Sequence, residues 1–244
     1  MNTRSGAQMK FTADEFLEKL SILKSEKQAD KVEKFFKGND GVTISLGVTF
    51  GSVFKTAKEF IGMTLQEVDK LLDSAYYEVR IGAVSIMDFQ AKSRKTSDDH
   101  KKQLFDLYLN RHDRLNNWDF VDRGAPGIIG EYLVDKSRDI LYSLAKSNDP
   151  WKRRTAIVST YAFIKKGDLD DTFKIAEILV NDENEYINKA VGSWIREAGK
   201  RDVNRLKSFL DQYAKTMPRI SLRYAVEKLT KADKAHYMGL RKTT

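Results

Sequence analysis

Apolar residues recur through most of the chain at three- and four-residue spacing, the period of an amphipathic helix. Leu65, Val68, Leu71 and Leu72 form one such stripe. Thr64 and Glu67 stand at its start in capping-box spacing, and Thr12 and Glu15 repeat the device in "TADEFLEKL". The stretch "KGNDGVTISLGVTFGS" (37 to 52) is the one glycine-rich region and reads as a loop around a short irregular element. "QAKSRKTSDDH" (90 to 100) reads as a polar linker between helices. In "NDPWKRR", Asn148 or Asp149 can cap a helix whose first position is Pro150. Thr216 is expected to do the same ahead of Pro218, and Pro126, two residues after Gly124, is expected to break or restart its helix.

The helical pattern also repeats. "YEVRIGA", "WKRRTA", "YINKAV" and "ISLRYA" each begin with a large residue and carry a cation three positions later: Arg80, Arg154, Lys189 and Arg223. "WDFVDRGA" has the ring, Trp118, but no cation at that place. The first residues, 77, 118, 151, 186 and 220, are separated by steps of 41, 33, 35 and 34. Each segment follows an apolar helix ending in a polar turn, so the unit is a helix–turn–helix of HEAT-like length. The fold expected is all-α, an α-α superhelix of HEAT-like repeats forming a C-shaped solenoid with a basic concave face. Residues 9–244 are expected to form a single HEAT-like repeat domain, preceded at 1–8 by a disordered or vector-derived stretch. An ordinary helical bundle with coincident spacing is the alternative.

In such a solenoid, Arg80, Arg154, Lys189 and Arg223 would line one groove at steps of about 10 Å. That spacing suits a phosphate backbone, where each contact adds salt-dependent affinity independent of base sequence. Each arginine taken singly is equally well explained by carbonyls or acids of the neighbouring repeat.

Composition narrows the chemistry. The chain has 244 residues, 41% hydrophobic and 32% charged, with three prolines and no cysteine. This is a globular, charge-rich composition without disulfides, thiol catalysis or cysteine-ligated metal. Net charge is +8, with a pI near 9.4, which suits a polyanionic partner. His100, His112 and His236 are scattered, "GVTFGS" lacks a phosphate-loop lysine, and no serine stands in a nucleophile elbow. No metal or cofactor is expected. The polar N-terminus and the lack of a long apolar run suggest a cytoplasmic, non-membrane protein, expected to be a monomer.

Trp118 and Asp122 stand four residues apart, one turn on a helix face. Packing plus a cap or ion pair is the ordinary explanation of such a pair. A lone carboxylate in a cationic groove, however, repels phosphate and needs a compensating use. Stabilising a cation that develops on a bound substrate is one.

These residues carry a family resemblance. "WDFVD" followed by "GAP" resembles the W-D-x-V-D motif of the AlkD-like DNA alkylation repair proteins. "PWKRRTAIV" resembles the family's W-x-x-R-x-A motif, "NKAVGSWIRE" its K-A-x-G-W-x-x-R-E segment, and "SLGVTFGSVFKTAKEF" its N-terminal G-V…A-K element. Order and spacing match from Phe11 to Glu227. The resemblance implies a HEAT-like fold cradling duplex DNA and excision of cationic alkylpurines such as 3-methyladenine and 7-methylguanine. It implies that Asp122 is the catalytic carboxylate, stabilising the oxocarbenium-like sugar and positioning water. Trp118 would pack against the lesion's deoxyribose and Arg154 would hold a nearby phosphate. The partner implied is double-stranded DNA carrying alkylated bases. Two departures stand out. Ser193 occupies the place of the family's second cleft tryptophan, with Trp194 one residue later, a rotation of about 100° on a helix. Phe50-Gly51 stands where many relatives carry a polar residue and a proline. A non-catalytic DNA-binding member of the fold, or a protein–protein scaffold, are the alternative functions.

Overall fold

The computed structural model describes residues 11–33 and 42–240. The stretch 1–8 and residues 37–41 of the glycine-rich loop lie outside the described residues. The chain forms two compact units, 1–117 and 118–244. Unit 1 holds α1 (Ala13–Ser21), α2 (Glu26–Glu33), α3 (Phe50–Glu59), α4 (Leu65–Leu72), α5 (Tyr77–Lys92) and α6 (Asp98–Asn110). Unit 2 holds α7 (Trp118–Gly124), α8 (Asp139–Ala145), α9 (Pro150–Ser159), α10 (Tyr161–Lys165), α11 (Asp170–Leu179), α12 (Glu185–Gly199), α13 (Val203–Tyr213), α14 (Arg219–Ala225) and α15 (Lys231–Gly239). The described residues contain no strand, only one isolated bridge, Ile44 to Tyr76. That bridge is the irregular element expected in the glycine-rich loop. The all-α expectation holds.

In unit 1, α5 is the central helix. It packs against α1, α3, α4 and α6, and its residues from Tyr77 to Asp88 are all buried. A helix buried on every side must satisfy its own polar groups. Glu78 does so by accepting the backbone N–H groups of Leu46, Gly47 and Val48 and the Ser45 hydroxyl, which ties the 45–48 segment down. The Thr12–Glu15 capping box forms fully. Thr64 caps α4, but Glu67 does not close the box: one oxygen pairs with Lys70 on the same helix and the other accepts from the N–H of Ala13 at the start of α1, at 2.8 Å. An orphan donor at another helix start is the better partner for that carboxylate. The polar linker narrows to residues 93–97, because α5 runs on to Lys92 and Ser97 caps α6.

Unit 2 is layered. α7, α9, α12 and α14 pack each against the next, while α8 and α11 pack on each other and on α9 and α12 respectively. Glycines set the closest approaches in the first layer. A Cβ on Gly192 of α12 would lie 2.3 Å from the Ser221 carbonyl oxygen of α14, and one on Gly130 would lie 2.2 Å from the Ser159 carbonyl oxygen of α9. Asp149 caps α9 at the Trp151 N–H with Pro150 in the first turn, as the sequence suggests. Asn184 caps α12 at the Tyr186 N–H. Thr216 does not cap α14: Pro218 holds that position, and the Thr216 hydroxyl donates back to the Tyr213 carbonyl. Pro126 does interrupt its helix: α7 ends at Gly124, and Pro126 stands in the first turn of the segment that follows. The chain continues as a π-helical segment, Ala125–Gly130, in which the Glu131 N–H bonds the Pro126 carbonyl at 3.0 Å. The wider π turn accommodates a residue that has no N–H to give.

At the C-terminus, α15 is docked by Tyr237, which is buried and donates to Asp211 of α13 at 2.8 Å. Burial, with the Asp211 carboxylate beside it, pushes the Tyr237 hydroxyl up to about 12. A hydroxyl raised in the folded state stabilises the fold fully below its unfolded value, near 10, and loses that contribution as pH rises through 12. Urea-unfolding midpoints should therefore fall between pH 10 and 12, and fall less in Tyr237→Phe. Equal alkaline losses in the two proteins would show that this contact is not the cause.

Candidate active site

The five repeated segments each open a helix. Tyr77 and Trp118 are the first residues of α5 and α7, and Trp151, Tyr186 and Ile220 are the second residues of α9, α12 and α14. A residue three positions later stands one turn in, on the same face. In unit 2 Arg154 stands so on α9, and it meets Asp122, four positions after Trp118 on α7, and the backbone of Tyr186 on α12.

Asp122 and Arg154 form a two-point ion pair. The guanidinium Nε donates to one carboxylate oxygen at 2.9 Å and Nη2 to the other at 2.8 Å. Nη1 donates to the backbone carbonyl of Tyr186. The Arg154 side chain is 7% exposed, whereas that of Asp122 is 28% exposed. One oxyanion face of Asp122 is therefore available while both its oxygens are held in a fixed plane. Trp118, one turn earlier on α7, is half-buried.

Two expectations change here. Asp122 is not a lone carboxylate, because a buried cation neutralises it, and its repulsion of phosphate is correspondingly small. Arg154 is not displayed as a free surface cation; three donors are engaged inside unit 2, which makes it a support for Asp122. Its neighbour Arg153 points to the other layer. It grips Asp182 with Nε and Nη2, at 2.6 and 3.1 Å, and donates to the Ser147 and Asn148 carbonyls. Arg154, the residue favoured by its spacing from Trp151, is thus the one that meets Asp122.

The expected cationic row is uneven. Arg80, on the central helix of unit 1, is 1% exposed and donates to the Thr43 hydroxyl, the Arg114 carbonyl and the Asn116 side chain. It binds its own unit together and offers no open cation. Lys189 is 35% exposed and pairs with Glu185, one turn before it on α12. That bond to Glu185 holds its ammonium above the ordinary lysine value. Lys189 also lies over the Tyr186 ring, 5.6 Å from its centre. Arg223 of α14 is exposed, with no ion-pair partner among the described residues.

Ser193 is half-buried on α12. Trp194 turns to the corner between α9 and α10, where its indole N–H donates to the Val158 carbonyl at 3.0 Å and its ring meets Tyr161 edge-on. It stands eight residues along α12 from Tyr186, about 12 Å at the helical rise. Trp194 thus occupies a half-buried corner beside α9 and α10.

Sequence reasoning missed the Tyr186 carbonyl, since any residue type supplies one. It also missed the Glu185–Lys189 pair, although their four-residue spacing was a readable signal. No group of three or more potential metal ligands occurs among the described residues. None of their helices is long and apolar enough to cross a membrane.

The sequence model of the family described as DNA alkylation repair enzyme matches residues 16–229. A structure described as a predicted DNA alkylation repair enzyme from Enterococcus faecalis superposes with a TM-score of 0.67 at 16% identity, covering 85% of this chain and 97% of that one. AlkD2 from Streptococcus mutans superposes with a TM-score of 0.54 at 18% identity, covering 90% and 97%. No curated protein matches. With most of its length matched, the chain belongs to the DNA alkylation repair enzyme family.

Proposed function

We propose that this protein is a DNA glycosylase that excises cationic alkylated purines, 3-methyladenine and 7-methylguanine, from duplex DNA. The observation that carries this reading is the Asp122–Arg154 pair: a part-exposed carboxylate, fixed at both oxygens by a buried guanidinium, one turn from an aromatic ring. A purine alkylated at N3 or N7 carries positive charge and leaves as a neutral base, taking the electrons of the glycosidic bond. It needs no general acid. What the enzyme must supply is stabilisation of positive charge on the sugar, which a preorganised carboxylate gives without reorganising. Water then adds its oxygen to C1′ and releases a proton. Trp118 packs against the deoxyribose and Asp122 faces C1′. Lys189 and Arg223 hold backbone phosphates, and Arg154 keeps Asp122 in place.

A second reading is a DNA-binding protein of this family without excision activity. The position of Trp194, spent on the Val158 carbonyl, favours it, because Ser193 stands where the family's second cleft tryptophan is expected. One experiment separates the two. Duplex DNA treated with a methylating agent is incubated with the protein, and released bases are quantified. Release of 7-methylguanine or 3-methyladenine supports the glycosylase; salt-sensitive retention of the duplex without release supports the second reading.

A further inference from the structure

The repeated helix-start position holds a large residue in every segment, but its surroundings differ. Tyr77 in unit 1 is closed over at 1% exposure, with its hydroxyl accepting from Asn117 and its ring beside Phe50. Trp151 and Tyr186 in unit 2 are only half-buried. Their rings meet across α9 and α12 at 5.5 Å between centres, tilted by 47°. Full burial would serve if the pair existed only for packing, since aromatic rings gain most when wholly removed from water.

Three features say what the open pair faces. Trp151 stands one turn before Arg154 on α9, and the carbonyl of Tyr186 itself accepts from that guanidinium. The pair is therefore continuous with the Asp122 site. Lys189, over the Tyr186 ring, adds a cation at the outer edge of the same surface. Its counter-ion, Glu185, is 62% exposed on the side chain and can turn aside into water. Aromatic faces beside a lysine match the sugar face and phosphate of one nucleotide.

We infer that Trp151, Tyr186 and Lys189 form a second nucleotide subsite, which holds the nucleotide next to the one at Asp122. This rests on the reading of Asp122 as the DNA-facing carboxylate. Stacking at the rings fixes the strand's register, and Lys189 takes the phosphate in exchange for Glu185.

The test uses the whole protein labelled with 5-fluorotryptophan. The chain has three tryptophans, so three fluorine resonances are expected, assigned through Trp118→Phe, Trp151→Phe and Trp194→Phe. Titration with an undamaged duplex, followed in parallel by anisotropy of a dye on the DNA, should shift the Trp151 resonance and leave that of Trp194 in place. Lys189→Met should reduce the salt dependence of binding by about one phosphate contact, a slope change of roughly 0.9. Binding by anisotropy with the Trp118 resonance moving and that of Trp151 still would overturn the subsite and leave the glycosylase reading intact. A Trp151 shift without base excision in the release assay would keep the subsite and remove the glycosylase. No binding and no shift would overturn both.

Discussion

Asp122→Asn should reduce release of alkylpurines by about 10² to 10³-fold, the usual cost of deleting one preorganised electrostatic stabiliser. The substitution keeps the shape and removes the charge. With an amide in place of the carboxylate, developing positive charge on the sugar meets no counter-charge. Binding should respond differently. Removing a negative group from a surface that meets phosphate leaves duplex affinity unchanged or slightly higher, so the loss falls on the chemical step. The Arg154 guanidinium loses its charged partner in a setting where it is 7% exposed, so thermal unfolding must be measured alongside. A folded Asp122→Asn protein that releases bases at the wild-type rate would rule the carboxylate out as the catalytic group.

The largest effect on stability is expected at Arg138, a residue with no part in the proposed chemistry. Its guanidinium lies 3.8 Å over the Phe163 ring and donates to Asp168 at 2.6 Å and Asp171 at 2.5 Å. It also donates to the carbonyls of Leu133 and Val134. Burial works against its charge, yet the bonds to Asp171 and Asp168 outweigh burial and hold its pKa above the ordinary arginine value. Tyr142 completes the cluster by donating to Asp171. Arg138→Ala should destabilise the protein by about 3 kcal/mol, because it takes the counter-charge from a carboxylate that is only 15% exposed and deletes the stack. Urea unfolding at neutral pH measures this, and a loss under about 0.5 kcal/mol would place Arg138 with ordinary surface cations. Base release at low temperature should survive, since the cluster lies in the α8–α11 layer and does not touch Asp122.

These two residues differ in how far the sequence announced them. Asp122 was visible: an acid in the one segment that lacks the repeated cation, one turn from a tryptophan, inside a recognisable motif. Arg138 was not, because "KSRDI" matches no repeat position and its partners lie 30 and 33 residues away. The cationic row shows the limit from the other side. Repetition correctly identified helix starts, but each cation's fate depends on what packs over it. Arg80 falls on a helix enclosed on all sides and is consumed internally. Arg154 is consumed by Asp122 and the Tyr186 carbonyl, while Lys189 and Arg223 remain within reach of solvent. Pro126 marks the end of α7 and a restart, as expected, but only the structure shows that the chain restarts as a π turn.

The sequence by itself determined the helical class, the caps at Thr12 and Thr64, the helix starts at the repeated segments, and the candidacy of Asp122. All of these depend on contacts within a few residues, where spacing along the chain and distance in space are the same thing. Tertiary structure alone decided that Asp122 is neutralised by Arg154, that Arg80 is internal, and that Trp194 serves the α9–α10 corner. Those outcomes join residues 32 to 37 positions apart. At that separation, pairing is set by which helices pack together and how deeply each side chain is buried. Neither quantity is carried by any local pattern of residues.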